Sequence, residues 1–147
     1  MRRLIEIGLL LMLAVPIAAQ GRDQAAEQLV RQYVQARSQT MQGRASSDDI
    51  ERALSFCTED FVYEHPSAVA RIQGKDKARA GMSGYLGETK NATYTLRILA
   101  SNPHVVVARV DQRFLVKQEN GNWVPAKRSN ITVFEIKGGK IARLLDY

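Results

Sequence analysis

From Gly87 onward the chain consists of four long β-like runs, about 91 to 100, 104 to 117, 122 to 136 and 140 to 147, separated only by "SNP", "ENGN" and "KGG". Connections this short join antiparallel neighbours, because a parallel crossover needs about a dozen residues or more. Asn120-Gly121 and Gly138-Gly139 suit tight hairpins, whose central residues take positive φ. The second half of the chain is therefore committed to an antiparallel meander.

The first half reads differently. Over "DQAAEQLVRQYVQARSQTM", Asp23 to about Met41, Leu29, Val30, Tyr33 and Val34 recur at helical spacing, with Ala26 and Arg37 extending the stripe. In "GRASSDDIERALSFC", Ser46 or Ser47 stands as a cap before acidic residues, and Ile50 and Leu54 follow on one side, which predicts a second, shorter helix. "DFVYEH" alternates as a short strand stopped by Pro66, and "GKDKARAGMSGYLG" reads as a third helix. Helices followed by a meander make an α+β domain, mainly antiparallel. Such a sheet curls, and helices over one face leave a concave interior.

The strand segment "VARVDQR" sets Arg109, Asp111 and Arg113 on one face with Val105, Val107 and Leu115. Val106, Ala108, Val110, Phe114 and Val116 take the other. Either the charged face meets water as a cross-strand ion pair, or it lines something polar inside. The expected core includes Leu29, Tyr33, Val62, Val106, Val110, Phe114, Val133 and Phe134. Tyr33, Tyr85, Phe114, Phe134 and Trp123 read as core or interface aromatics rather than ligand-stacking ones.

At 147 residues with 45% hydrophobic side chains, one domain is expected, spanning 20–147. The start, "MRRLIEIGLLLMLAVPIAAQ", has two arginines, an apolar run and then Ala18 and Ala19, the layout of a secretory signal over 1–19. An exported protein, periplasmic or secreted, with no membrane attachment after signal removal, is the expectation. Cys57 is the single cysteine, so no intramolecular disulfide forms, and it reads as a buried thiol. With one cysteine and two histidines, no zinc-type ligand cluster exists, and no metal or other cofactor is expected. The net charge of +6 is scattered rather than gathered with aromatics, so nucleic acid is not expected as a partner.

Taken together, "FCTEDFVYEHP", "RIQGKDKARAGM", "VVVARVDQRF" and "FEIKGGKIARLLDY" resemble the SnoaL-like branch of the nuclear transport factor two-like superfamily, a cone-shaped α+β roll. In site pattern the chain is most similar to limonene-epoxide hydrolases, whose members carry Arg-x-Asp on a central strand and Asp-Tyr ending a later one. Here these are Arg109-Val110-Asp111 and Asp146-Tyr147. Those enzymes also have Tyr-x-Asn on the early strand, where this chain has Tyr63-Glu64-His65. The resemblance implies Asp146 as base, Asp111 as acid, Arg109 as the bridge between them, and Tyr63 with a partner aiming water. His65, in place of the asparagine, either joins that hydrogen bonding or is itself the base.

The chemistry has a physical basis: opening an epoxide in one step needs a base for water and an acid for the leaving oxygen, and two carboxylates on one guanidinium divide those roles. Two classes of function follow. One is a hydrolase, isomerase or cyclase acting on a small apolar molecule, which requires Asp111, Asp146, Arg109 and Tyr63 in one cavity lined by residues such as Val107, Leu144 and Met82. The other is a non-catalytic ligand-binding or dimerisation module. The resemblance implies a homodimer under either.

Overall fold

The computed structural model describes residues 22–147, so the export signal expected over 1–19 lies outside the described residues. Helix α1 spans Gln24–Gln39, and its N-cap Asp23 accepts a 2.8 Å hydrogen bond from the Ala26 amide. Helix α2 spans Ser47–Ser55. Asp49 reaches back to the amide of its cap residue, Ser46, at 3.0 Å, so its first turn is closed from both sides. Strand β1 (Cys57–His65) follows, then a 3-10 turn at Pro66–Ala68, a short strand β2 (Ala70–Gln73) and helix α3 (Lys75–Ser83). The meander is β3 (Thr89–Ser101), β4 (Val105–Lys117), β5 (Trp123–Lys137) and β6 (Lys140–Asp146).

The six strands form one sheet in the order β2-β1-β6-β5-β4-β3. All pairings are antiparallel except β1 with β6, which is parallel. The three turns of the meander are built differently. Gly138 and Gly139, at φ of 58° and 72°, form the two-residue hairpin expected between β5 and β6. Asn120-Gly121 instead sits in a five-residue loop, where only Gly121 takes positive φ and Asn120 Oδ1 accepts from the Asn122 amide. Between β3 and β4, Asn102 Oδ1 accepts from the amides of His104 and Val105, each at 2.8 Å.

The core lies between the inner sheet face and the helices. Phe61, Phe134, Ile50, Leu54, Ile141, Val30 and Val106 are its most fully buried members, and each such side chain contributes about 1.5 to 3 kcal/mol. Tyr33 packs edge-on to Phe134, with ring centroids 6.1 Å apart. Of the expected core, Tyr33, Val106, Val110, Phe114 and Phe134 are buried, whereas Leu29, Val62 and Val133 are only half-buried. Val133 and Phe134 are consecutive in a strand and cannot share a face, and the larger side chain takes the inside.

On β4 the inner face is the one carrying Val106, Ala108, Val110 and Phe114. Arg109, Asp111 and Arg113 therefore point outward. That parity decides the geometry of the site.

Candidate functional site

A cavity of about 620 Å³ opens between the inner sheet face and helices α1 and α3. Apolar side chains make most of its wall, among them Val34, Phe61, Ile72, Met82, Val110, Phe134 and Leu144. Its polar groups come from every layer: Tyr33 and Arg37 from α1, Tyr63 and His65 from β1, Tyr94 from β3, Gln112 from β4, Arg128, Asn130 and Thr132 from β5, and Asp146 from β6.

Asp146 is the one carboxylate among the described residues that line this cavity. Antiparallel pairing sets Thr132 opposite it, and the Thr132 hydroxyl donates a 2.6 Å hydrogen bond to Asp146 Oδ1. Thr132 is itself buried, so the donor is held in place. The Tyr63 phenol is the carboxylate's other hydrogen-bonding neighbour. Parallel pairing with β1 matches Tyr63 to Leu144 and Glu64 to Leu145, and one further step of that register sets His65 beside Asp146. Strand alternation turns Tyr63 and His65 inward and Glu64 outward, where it meets Arg143 at 2.7 Å and Arg71 at 2.8 Å.

Burial, then the neighbouring Asp146 carboxylate, pushes the Tyr63 phenol up to about 12. Tyr33 and Tyr94 are also raised, chiefly by burial, and both feel the charge of Asp146. Around one carboxylate the fold thus arranges three tyrosines that remain neutral hydrogen-bond donors near neutral pH. The Tyr94 hydroxyl meets only a thioether, the Sδ of Met41, a weak acceptor. His65 has its Nδ1 3.0 Å from Ser67 Oγ, at the start of the 3-10 turn. Just beyond it, Val69 holds a left-handed φ of 52° and is 94% exposed.

Two of the five residues expected in the site are not in it. Arg109 Nε contacts Asp111 Oδ1 at 3.1 Å, but this pair is on the outer face, with side chains 46% and 42% exposed. Ser129 Oγ also donates to Asp111 at 2.6 Å. These two contacts, Ser129 first, hold the Asp111 carboxyl below the usual carboxylate range. The arrangement is that of the solvated ion pair, the other meaning open to Arg-x-Asp on a strand. The sheet lies between the pair and Asp146, so the expected Asp111-Arg109-Asp146 bridge does not form. Val107 shares that outer parity and does not line the cavity, while Leu144 and Met82 do.

In their place the cavity holds Arg37, Tyr94, Gln112, Arg128, Asn130 and Thr132, none of which the motif reading selected. The signal existed. Ala126, Arg128, Asn130, Thr132 and Phe134 alternate on one strand face, so an inward Phe134 carries the polar residues in with it. Arg37 likewise continues the apolar stripe of α1. No group of three or more His, Cys, Asp or Glu that could hold a metal occurs among the described residues. None of their helices is long and apolar enough to cross a membrane.

A family model for the SnoaL-like domain matches residues 30–144. The chain belongs to the SnoaL-like family. Among curated proteins, none matches the sequence. In fold, this SnoaL-like protein is similar to a candidate polyketide cyclase from Xanthomonas campestris pv. campestris, at 17% identity and a TM-score of 0.68 over 84% of this chain and 90% of that one. It is also similar to a candidate ketosteroid isomerase from Kribbella flavida, at 21% identity and a TM-score of 0.58 over 83% and 76% of the two chains. An LEH-like epoxide hydrolase from M. tuberculosis gives 18% identity and a TM-score of 0.65 over 84% and 81%. At these identities the likeness is one of fold, and a fold by itself does not fix a function.

Proposed function

We propose that this SnoaL-like protein is an isomerase or cyclase that moves a proton on a small, largely apolar carbonyl compound, with Asp146 as the base. The observation that carries this reading is Asp146, the one carboxylate among the described residues of a largely apolar cavity, fixed through one oxygen by Thr132 and flanked by a protonated tyrosine. Epoxide opening, the finer expectation from the resemblance, calls for a second acid, and Asp111 does not face the cavity. Proton shuttling next to a carbonyl needs only one carboxylate.

In the proposed step, the Asp146 carboxylate takes a proton from the carbon beside the carbonyl. The C–H electron pair moves into the new C=C bond and the carbonyl oxygen becomes an enolate oxygen. The Tyr63 hydroxyl turns from Asp146 to that oxygen and stabilises its charge. Asp146 then returns the proton to a different carbon, which completes an isomerisation. In the cyclase variant the enolate carbon attacks a second carbonyl of the same molecule, and the resulting alkoxide takes the proton from Asp146. Either way the side chains end as they began. Export with removal of 1–19, and a homodimer through the outer sheet face, belong to the same proposal; N-terminal sequencing of exported protein and sedimentation test them.

The test is a panel of β,γ-unsaturated ketones, diketones and terpene-like epoxides with the unmodified protein, Asp146→Asn and His65→Asn. We expect turnover of a ketone, with kcat falling about 10²- to 10⁴-fold in Asp146→Asn while folding is unchanged. Loss of turnover in His65→Asn with a tolerated Asp146→Asn would make His65 the base. Epoxide hydrolysis without ketone turnover would restore the hydrolase reading. No turnover of any panel member, with Asp146→Asn altering only ligand affinity, would leave the non-catalytic binding module.

A further inference from the structure

Six arginines meet carboxylates: Arg22 and Arg31 meet Glu27, Arg71 and Arg143 meet Glu64, Arg79 meets Glu51 and Asp76, and Arg109 meets Asp111. Arg44, Arg52, Arg97 and Arg113 meet none among the described residues, but they are exposed and lie outside the cavity. Arg37 and Arg128 face the cavity, and neither has a carboxylate partner among the described residues. Arg37 is anchored through the Thr40 hydroxyl, and Arg128 lies over the Phe114 ring, 5.3 Å from its centroid. Both are therefore oriented without being neutralised. Two guanidiniums against one carboxylate leave the cavity positive, in a wall that is otherwise mostly apolar. A cation directed into such a space is stabilised by an anion that enters it.

The register gives the spacing. Tyr94, Gln112 and Arg128 stand side by side in one cross-strand row, and Thr132 and Asp146 stand in another. The two rows are four residues apart along β5, about 13 Å between Cα atoms at about 3.3 Å per residue. Burial falls along the same line: Thr132 is buried, Asn130 half-buried and Arg128 exposed. Arg128 thus marks the open end, and the row of Thr132 and the half-buried Asp146 lies deeper.

We propose that the ligand of this cavity is an anionic amphiphile, an acid group on a largely apolar carbon skeleton, whose anion is held by Arg128 and Arg37 at the open end. The apolar part fills the wall between Val110, Phe134 and Leu144 and carries the reacting carbon down to Asp146. The acid group and that carbon are then separated by on the order of 10 Å, the row spacing reduced by the reach of the arginine. This deepens the reading given above, since it names the substrate class for the same site.

Binding is measured by calorimetry on the whole protein with decanoate, decyl sulfate and decanol, which share a chain and differ in the head group. Decanoate should bind at least tenfold more tightly than decanol. Arg128→Gln and Arg37→Gln should each weaken decanoate about tenfold or more while leaving decanol within about twofold, because only the anion loses a charged donor. A carboxylate preference over decyl sulfate assigns the acid as a carboxylate, and the reverse assigns a sulfate- or phosphate-like group. Equal binding of decanoate and decanol, or arginine variants that do not change decanoate binding, overturns the inference. The two readings separate cleanly: turnover of uncharged ketones that depends on Asp146 but not on the arginines would refute the anionic substrate alone. Arginine-dependent decanoate binding without turnover of any keto acid would refute the proton-transfer reading alone.

Discussion

The placement of every β4 side chain rests on strand parity, and two substitutions of identical chemistry three residues apart on that strand test it. Val110 is 4% exposed, packs in the main core cluster and lines the cavity, whereas Val107 is half-buried on the opposite face. Each Val→Ala change removes two methyl groups. At about 0.8 kcal/mol per buried methyl-sized group the transfer loss at Val110 is about 1.6 kcal/mol. Imperfect collapse of the wall adds to this, so about 1 to 3 kcal/mol is expected. At Val107 the carbons removed are already partly in water, and the loss should stay below about 1 kcal/mol. For a domain of this size each kcal/mol lowers Tm by about 4 °C, so Val110→Ala should melt about 4 to 12 °C lower and Val107→Ala about 4 °C lower at most. Urea unfolding followed by Trp123 fluorescence gives the free energies, with an unchanged m-value required for both variants. A Val107→Ala change that costs more than Val110→Ala would mean the faces are reversed. Arg109 and Asp111 would then be inside, and the site described here would be wrong.

Asp111→Asn and Arg109→Ala should leave ligand affinity and any turnover within about twofold of the unmodified protein, because an exposed pair on the outer face exchanges its contacts for water; calorimetry with decanoate checks this. The buried Cys57 thiol, pushed up to about 12 by burial, should react with a thiol reagent at pH 8 only as fast as the chain unfolds, and rapid reaction of native protein would refute its burial. Cys57 and Tyr63 keep their protons in the folded chain to about 12, while the unfolded chain releases them from about 9 and 10. Stability from these groups is therefore complete below pH 9 and is lost as pH rises toward 12, and a urea midpoint that rose across that window would contradict the sign.

What the sequence made legible follows from how local each signal is. The helix stripes and the turn-bounded runs are local, and all three helices and the five longer strands stand where periodicity places them. Strand β2 has four residues and enters from the left-handed Val69, too short a stretch for alternation to register. The parallel pairing of β1 with β6 joins residues 81 or more positions apart and leaves no mark in either strand. Strand parity was legible in "VARVDQR" as two faces, but the choice between them was not made by the charged residues. It follows from the bulk of Val106, Val110 and Phe114, which the helices must cover. A motif match favoured Arg109 and Asp111, whereas the apolar face of the same strand carried Gln112 into the cavity unremarked. Asp146, Tyr63 and His65 line the cavity because their strands end there, so motif and parity point the same way.

Gln112 gives that parity a chemical consequence. It is paired across the strands with Arg128, and both side chains line the cavity. Gln112→Glu keeps the shape and adds a carboxylate directly opposite a guanidinium that has none among the described residues. Directly opposite positions in an antiparallel pair bring Cβ atoms to about 5 Å, within reach of a bidentate contact. The new carboxylate should therefore occupy Arg128 and repel an incoming anion at once. The preference for decanoate over decanol should fall by about tenfold or more, as in Arg128→Gln, and decanol binding should stay within about twofold. The double variant Gln112→Glu with Arg128→Gln should bind decanoate no better than either single one. Asp111→Glu, one residue away in sequence and on the other side of the sheet, should leave the preference intact. If Gln112→Glu left the preference unchanged while Asp111→Glu altered it, neither the inward direction of Gln112 nor the role given to Arg128 could stand.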